Sequence, residues 1–430
     1  VKQAMLVKIE VSSHSDAYVL FESLNNRGTP LTAIDLMKNL IMAKAEGNNL
    51  TIDDCFNRWQ TLLGNLSEDY SIQERFFRQY YNAFKHRLNE PFQSDADRKK
   101  DPLGVVATRS NLLNIFESLI NKDLPSFLDD ILQCGQIYSW LILQDTIENP
   151  YRKALEDLDH IQGAPSYLLL MYLMRNQEEL AVSEEQIHLI IRLLAKYFVR
   201  RNITDYPNTR DLTRIFMDII SKLEEAQATG DKVVSMIIDI LSTPTNCASD
   251  EQFRRSLEGD VYKDNVGATR YILCKLAEAA MTQETWTDLW RRTDKNVFVW
   301  TIEHIFPEGQ NIPESWVDMI ADGDKELAKQ HLEKYTHKIG NLTITGYNST
   351  LGNKSFEEKR DRKSKDGQRF IGYKNGLDIN REIATKDKWT VDDIKTRTKT
   401  LVDELMKVYE FPRGITNLKF YYKSIYNKEQ

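Results

Sequence analysis

The sequence predicts a mainly α fold: a multi-helix body, a small strand–strand–helix unit near the C-terminus, and the closing part of an α+β domain at the N-terminus. Three observations predict it. Between residues 56 and 281 apolar side chains recur at a spacing near 3.6, interrupted by short polar breaks. After residue 297 that spacing gives way to two short β-branched runs, Thr301-Ile302-Glu303-His304-Ile305 and Leu342-Thr343-Ile344-Thr345, followed by a segment rich in Asn and Lys. Residues 4–11 alternate apolar and polar types, as a half-buried strand does.

Taken in order, the strand at 4–11 leads to a helix, a loop around Gly28 and Pro30, and a second helix. Thr32 caps that helix and Asp35 stands at its third position, the arrangement in which cap and third residue satisfy each other's backbone N–H. Helical spacing then covers 56–90, 110–145, 151–176, 184–201, 209–227, 231–242 and 264–281. Phe76-Phe77-Arg78-Gln79-Tyr80-Tyr81 and Tyr167-Leu168-Leu169-Leu170-Met171-Tyr172 read as core stripes, and the charged stretch 93–102 as a loop. Arg200 and Arg201 read as ion-pair residues rather than DNA contacts. These segments divide the chain into an N-terminal remnant (1–55), a helical body (56–290), a C-terminal unit (291–412) and a tail (413–430).

The chain has 430 residues and a net charge of -7, so it has no global attraction for nucleic acid and any such contact must be a local patch. Lys354, Lys359, Arg360, Arg362, Lys363, Lys365 and Arg369 supply one, diluted by Glu357, Glu358, Asp361 and Asp366. Lys359 is the leading phosphate contact of this set. The four cysteines, Cys55, Cys134, Cys247 and Cys274, lack metal-ligand spacing and read as reduced core residues of a cytoplasmic protein. There is no membrane-length apolar run, no signal peptide, no phosphate-binding Gly-rich loop, no Gly-x-Ser-x-Gly elbow and no His-Glu-x-x-His motif.

Chemistry concentrates where the strands are expected. Glu303 and His304 close the first run. His337-Lys338-Ile339-Gly340-Asn341 opens the second, and Asn348-Ser349 and Asn353-Lys354-Ser355-Phe356 follow. A neutral imidazole can take a proton from water, a divalent cation can neutralise a phosphate under attack, and an amide can fix the free imidazole nitrogen. Adjacent strand residues face opposite ways, so Glu303 and His304 share a metal only if the strand turns irregular there. Glu303 is therefore read as a ligand or as a surface charge. Asn348 is a ligand or a helix N-cap, Asn353 is the alternative ligand, and His337 reads as structural.

Those motifs resemble the His-Asn-His (ββα-metal) nuclease domain at the C-terminus of GmrSD-type modification-dependent (type IV) restriction endonucleases, over about residues 297–412. The resemblance implies His304 as general base, Asn341 as its orienting partner, an acidic ligand at Glu303, a helix ligand at Asn348 or Asn353, and Mg²⁺ or Mn²⁺ as cofactor. It implies double-stranded DNA, modified and of phage origin, as substrate, no membrane, and a homodimer as an open alternative to the monomer. Asn25-Asn26-Arg27-Gly28-Thr29-Pro30-Leu31 with Asp35-Leu36 resembles the closing part of the ParB-like domain of the same enzymes. Asn25, Arg27 and Asp35 would then frame part of a nucleotide or regulatory site. The chain begins with Val and lacks that domain's Asp-Gly-Gln-Gln-Arg motif, so it reads as a fragment, with a nucleoside triphosphate bound only by the complete protein. The competing function is a DNA-binding or regulatory module that keeps the nuclease fold and no longer cuts.

Overall fold

The structure is a computed structural model that describes residues 31–88, 102–144, 148–346 and 351–412. Asn25, Arg27, Asn348, the strand expected at 4–11 and the tail from 413 lie outside the described residues. The described part is mainly helical, and its contacts divide it into two compact units. The first takes the described residues up to Arg192 with Arg210–Ile240. The second takes Leu193–Thr209 and the described residues from Leu241 on.

In the first unit the helices are α1 (Ala33–Lys44), α2 (Ile52–Leu66), α3 (Tyr70–Leu88), α4 (Leu112–Lys122), α5 (Leu124–Leu141), α6 (Arg152–His160) and α7 (Tyr167–Arg175). The opening residues of α8 (Glu184–Thr204), together with α9 (Thr209–Glu225) and α10 (Asp231–Leu241), complete it. Thr32 and Asp35 form the expected reciprocal cap at the start of α1. Three of the long periodic windows each contain two helices. Ser67, at φ 76°, ends α2 before α3 begins, and Asp123 caps α5 immediately after α4. A 3-10 turn at Ala164–Ser166 separates α6 from α7. The aromatic stripes pack as expected: the Phe76, Phe77, Tyr80, Phe116 and Tyr138 rings meet in the interior, mostly edge to face.

In the second unit α11 (Asp250–Leu257), α12 (Val261–Asp264) and α13 (Val266–Glu278) precede two strands, β1 (Thr301–His304) and β2 (Leu342–Thr345). The strands pair antiparallel, Thr301 with Thr345, Glu303 with Thr343 and His304 with Leu342. Between them come α14 (Glu314–Ala321) and α15 (Lys325–Tyr335), and after them α16 (Phe356–Arg360), α17 (Arg381–Thr385) and α18 (Val391–Val408). Ile305, Phe306, Trp316, Phe356, Tyr373, Trp389 and Ile394 form the core beneath the strand pair. Buried Arg397 of α18 ties this core to the sheet by donating to the carbonyls of Gly340 and Leu342. Arg200 is buried against Phe253 and donates to Asp250 and to the Ala248 carbonyl, the ion-pair role expected for it. Among the described residues no helix is long and apolar enough to cross a membrane, and the four cysteines are buried and not joined in disulfides.

Candidate active site

β1 is regular through His304, and that regularity arranges the site. Side chains alternate across a strand, so Glu303 and His304 point to opposite faces. Glu303 turns inward, where its carboxylate takes a 2.7 Å ion pair from Lys359 of α16. Lys359 also donates to the carbonyls of His304 at 2.8 Å and Ile305 at 3.3 Å. Both side chains are almost wholly buried. Burial pushes the Glu303 carboxyl up to about 7 against the pull of the Lys359 cation, and it lowers the Lys359 ammonium against the pull of Glu303.

His304 faces the other way and meets two groups. Its Nδ1 lies 3.3 Å from a Glu308 carboxylate oxygen, and its Nε2 lies 3.3 Å from Nδ1 of His337. One donor atom from each of the three residues falls within 4.8 Å of the others. Tyr262 of α12 closes the side of the cluster: its ring meets His304 edge-on at 4.5 Å and stacks on His337 at 5.6 Å. An ion pair of Lys338 with Asp260 and a bond to the Glu258 carbonyl hold this segment beside the His337 turn. Burial, with smaller contributions from His337 and Lys359, pushes the His304 pKa down to about 3. The imidazole is neutral at pH 7. Burial and the Glu308 charge raise the Tyr262 phenol.

Several expected positions fall elsewhere. Asn341 lies in the 3-10 turn Ile339–Asn341, ahead of β2, and its amide makes its hydrogen bonds to groups other than the imidazole. Its amide accepts from Phe306 N at 2.8 Å and from Trp389 Nε1 at 3.3 Å, and donates to the carbonyls of Phe306 and Thr336. It therefore staples the chain beyond His304 to the turn that opens β2. Glu303 does not join the His304 cluster, because β1 stays regular and sends it into the core. Lys359 is interior, spent on Glu303 and two carbonyls, so it does not reach a phosphate. Arg360 is tied to Asp361 and Asp387, and Lys354 pairs with Glu358 at 3.6 Å. Lys363 is exposed. Asn353 is exposed ahead of α16, its amide beside Gly309: a Cβ placed on Gly309 would lie 2.9 Å from Asn353 Nδ2.

Sequence reasoning missed Glu308 and Tyr262, and it set His337 aside as structural. Glu308 had a local signal, four residues past His304 and just beyond Pro307. Tyr262 had none, because only the tertiary fold brings α12 to the strand.

What the geometry defines is a centre of two imidazoles and a carboxylate at the end of a strand, backed by a buried ion pair. Two nitrogen donors and one oxygen donor at this spacing are a set that suits a divalent cation. Residues 247–404, which contain all of it, match the family model of GmrSD restriction endonucleases, C-terminal domain. This part of the chain is thus similar to the C-terminal domain of those restriction endonucleases. The match spans well under half of the chain and does not extend to the helices of the first unit. No curated protein matches the chain.

Proposed function

We propose that the protein is a metal-dependent DNA endonuclease of phage defence, acting in the cytoplasm on modified DNA, with the cluster around His304 as its centre. The convergence of His304, Glu308 and His337 within the matched domain carries this reading. Neutral His304 accepts the proton of the attacking water. Glu308 on Nδ1 fixes the tautomer and leaves Nε2 as the acceptor. Glu308 and His337 would hold a divalent cation, which when bound would supply positive charge against the phosphate under attack; the Asn353 amide lies beside Gly309, next to Glu308 in the chain. Imidazole in the donor set favours Mn²⁺ over Mg²⁺, which prefers an all-oxygen shell. We assign the expected triphosphate regulation to the complete protein.

A second reading has an observation of its own. The donor atoms of all three residues lie within one metal-sized radius, and a pKa near 3 suits a neutral ligand better than a base. In that reading His304 is itself the third ligand. Titrating Mn²⁺ into the wild type and His304→Ala by calorimetry separates the two. A loss of up to about 100-fold, the cost of removing a residue that only braces the ligands, supports the base, and loss of detectable binding supports the ligand.

The functional reading is tested by incubating the protein and Mn²⁺ with unmodified, hydroxymethylated, glucosylated and phosphorothioated DNA. Cleavage of at least one modified substrate, ahead of the unmodified one, is expected. If all four stay intact while the protein still binds duplex, the non-cleaving module is the better description.

A further inference from the structure

Residues 362–371 form a finger that none of the chemistry above uses. Lys363 and Phe370 form an antiparallel bridge, Ser364 N donates to the Arg369 carbonyl at 2.8 Å, and Ile371 N donates to the Arg362 carbonyl at 2.8 Å. The tip turns at Gly367, whose φ of 70° favours glycine. Asp366 braces the tip by accepting from the Ser364 hydroxyl and from Gln368 N. Apart from Ser364, which is half-buried, these ten residues are exposed or lie at the finger's base.

Charge is unbalanced here. Arg362, Lys363, Lys365 and Arg369 stand against Asp366 alone, whose carboxylate is spent on the turn. None of the four is in an ion pair among the described residues, whereas Arg360 and Lys374 beside them are both tied to Asp361. Lys363 and Lys374 flank the ring of Phe370, which is 40% exposed. A chain of net charge -7 that gathers four cations on one exposed hairpin, with only the Asp366 carboxylate beside Arg369 to offset them, presents a local anion-binding surface.

The base of the finger is fixed to the site. Tyr373 N and Lys374 N donate to the carbonyls of Lys359 and Arg360, and Tyr373 is buried in the core. Between finger and anchor, Gly372 crosses α16 so closely that a Cβ would lie 1.9 Å from the Lys359 carbonyl oxygen. Lys359 in turn holds the His304 carbonyl. One short path of backbone and buried side chain thus joins the finger to the catalytic strand.

We propose that this finger is the DNA grip of the domain, its four cations contacting backbone phosphates while the two-stranded ribbon enters the major groove. The major groove admits two paired chain segments side by side, and phosphate contacts fix register without reading sequence. The assignment rests on the endonuclease reading. The full chain and a variant with Arg362, Lys363, Lys365 and Arg369 all changed to Ala are compared for binding a fluorescein-labelled unmodified duplex in EDTA, over a range of salt. The variant should bind about 10–100-fold more weakly at low salt, and its salt slope should be shallower by about 3.6, near 0.9 for each of the four lost phosphate contacts. Changing only Arg362 and Arg369 to Lys should preserve the slope, and circular dichroism should match the wild type in both variants. If the wild type binds and cuts DNA and the four-Ala variant has the same affinity and slope, the finger is not the grip and the nuclease reading stands. If the wild type neither binds nor cuts duplex DNA, both fall together.

Discussion

At the scale of single residues the site rests on two buried polar groups that do no chemistry. Lys359 satisfies the Glu303 carboxylate and two carbonyls at once. Lys359→Met should therefore cost about 3–5 kcal/mol, because it strands a buried carboxylate. Adding Glu303→Leu should recover much of that loss in chemical denaturation; a double variant as unstable as the single one would show that the pair is not the cause. Asn341 is the other. It holds Phe306, Thr336 and Trp389 through four hydrogen bonds, and Asn341→Ala should cost roughly 2–4 kcal/mol by orphaning Phe306 N and Trp389 Nε1. A surface role would cost under about 0.5 kcal/mol. Strand alternation already said that Glu303 and His304 diverge unless β1 breaks, and β1 does not break. What alternation could not say was which distant side chain would meet the inward carboxylate, since that depends on where α16 docks.

Among the elements, backbone approach decides what the sequence tolerates. Gly340 lies against α18 so closely that a Cβ would sit 2.2 Å from the Ile394 carbonyl and 2.6 Å from Thr398 N. Gly340→Ala should push α18 off the turn that opens β2, lowering stability by about 1–3 kcal/mol. Gly64, inside α2 with open space around its Cα, should respond in the opposite sense, gaining about 0.5–1 kcal/mol as Ala. Thermal melts of the two variants should shift in opposite directions, and a common direction would contradict the packing described. Helix existence was legible from apolar spacing, and the start of α1 from its capping pair. The breaks after α2 and α4 were not, because apolar periodicity runs through Ser67 and Asp123 almost without interruption. Nor were α14 and α15, which lie between the two strands and were hidden by attention to the motifs on either side.

For the molecule as a whole, mainly helical packing leaves its cysteines inert. All four are buried, and burial raises the thiol pKa at Cys55, Cys134 and Cys274. Iodoacetamide should label none of them in the native protein and four after denaturation. Rapid native labelling would contradict the burial. The chemistry proposed for the molecule is phosphodiester hydrolysis at His304 with a divalent cation bound beside it. Its most direct test is single-turnover cleavage of a duplex the wild type cuts, followed with Mn²⁺, with EDTA, and with His304→Ala in Mn²⁺. Chelation should abolish cleavage, and His304→Ala should slow it by a factor of about 10²–10⁴ while far-ultraviolet circular dichroism stays unchanged. A folded His304→Ala protein that cuts at the wild-type rate, or a wild type indifferent to EDTA, would contradict the account.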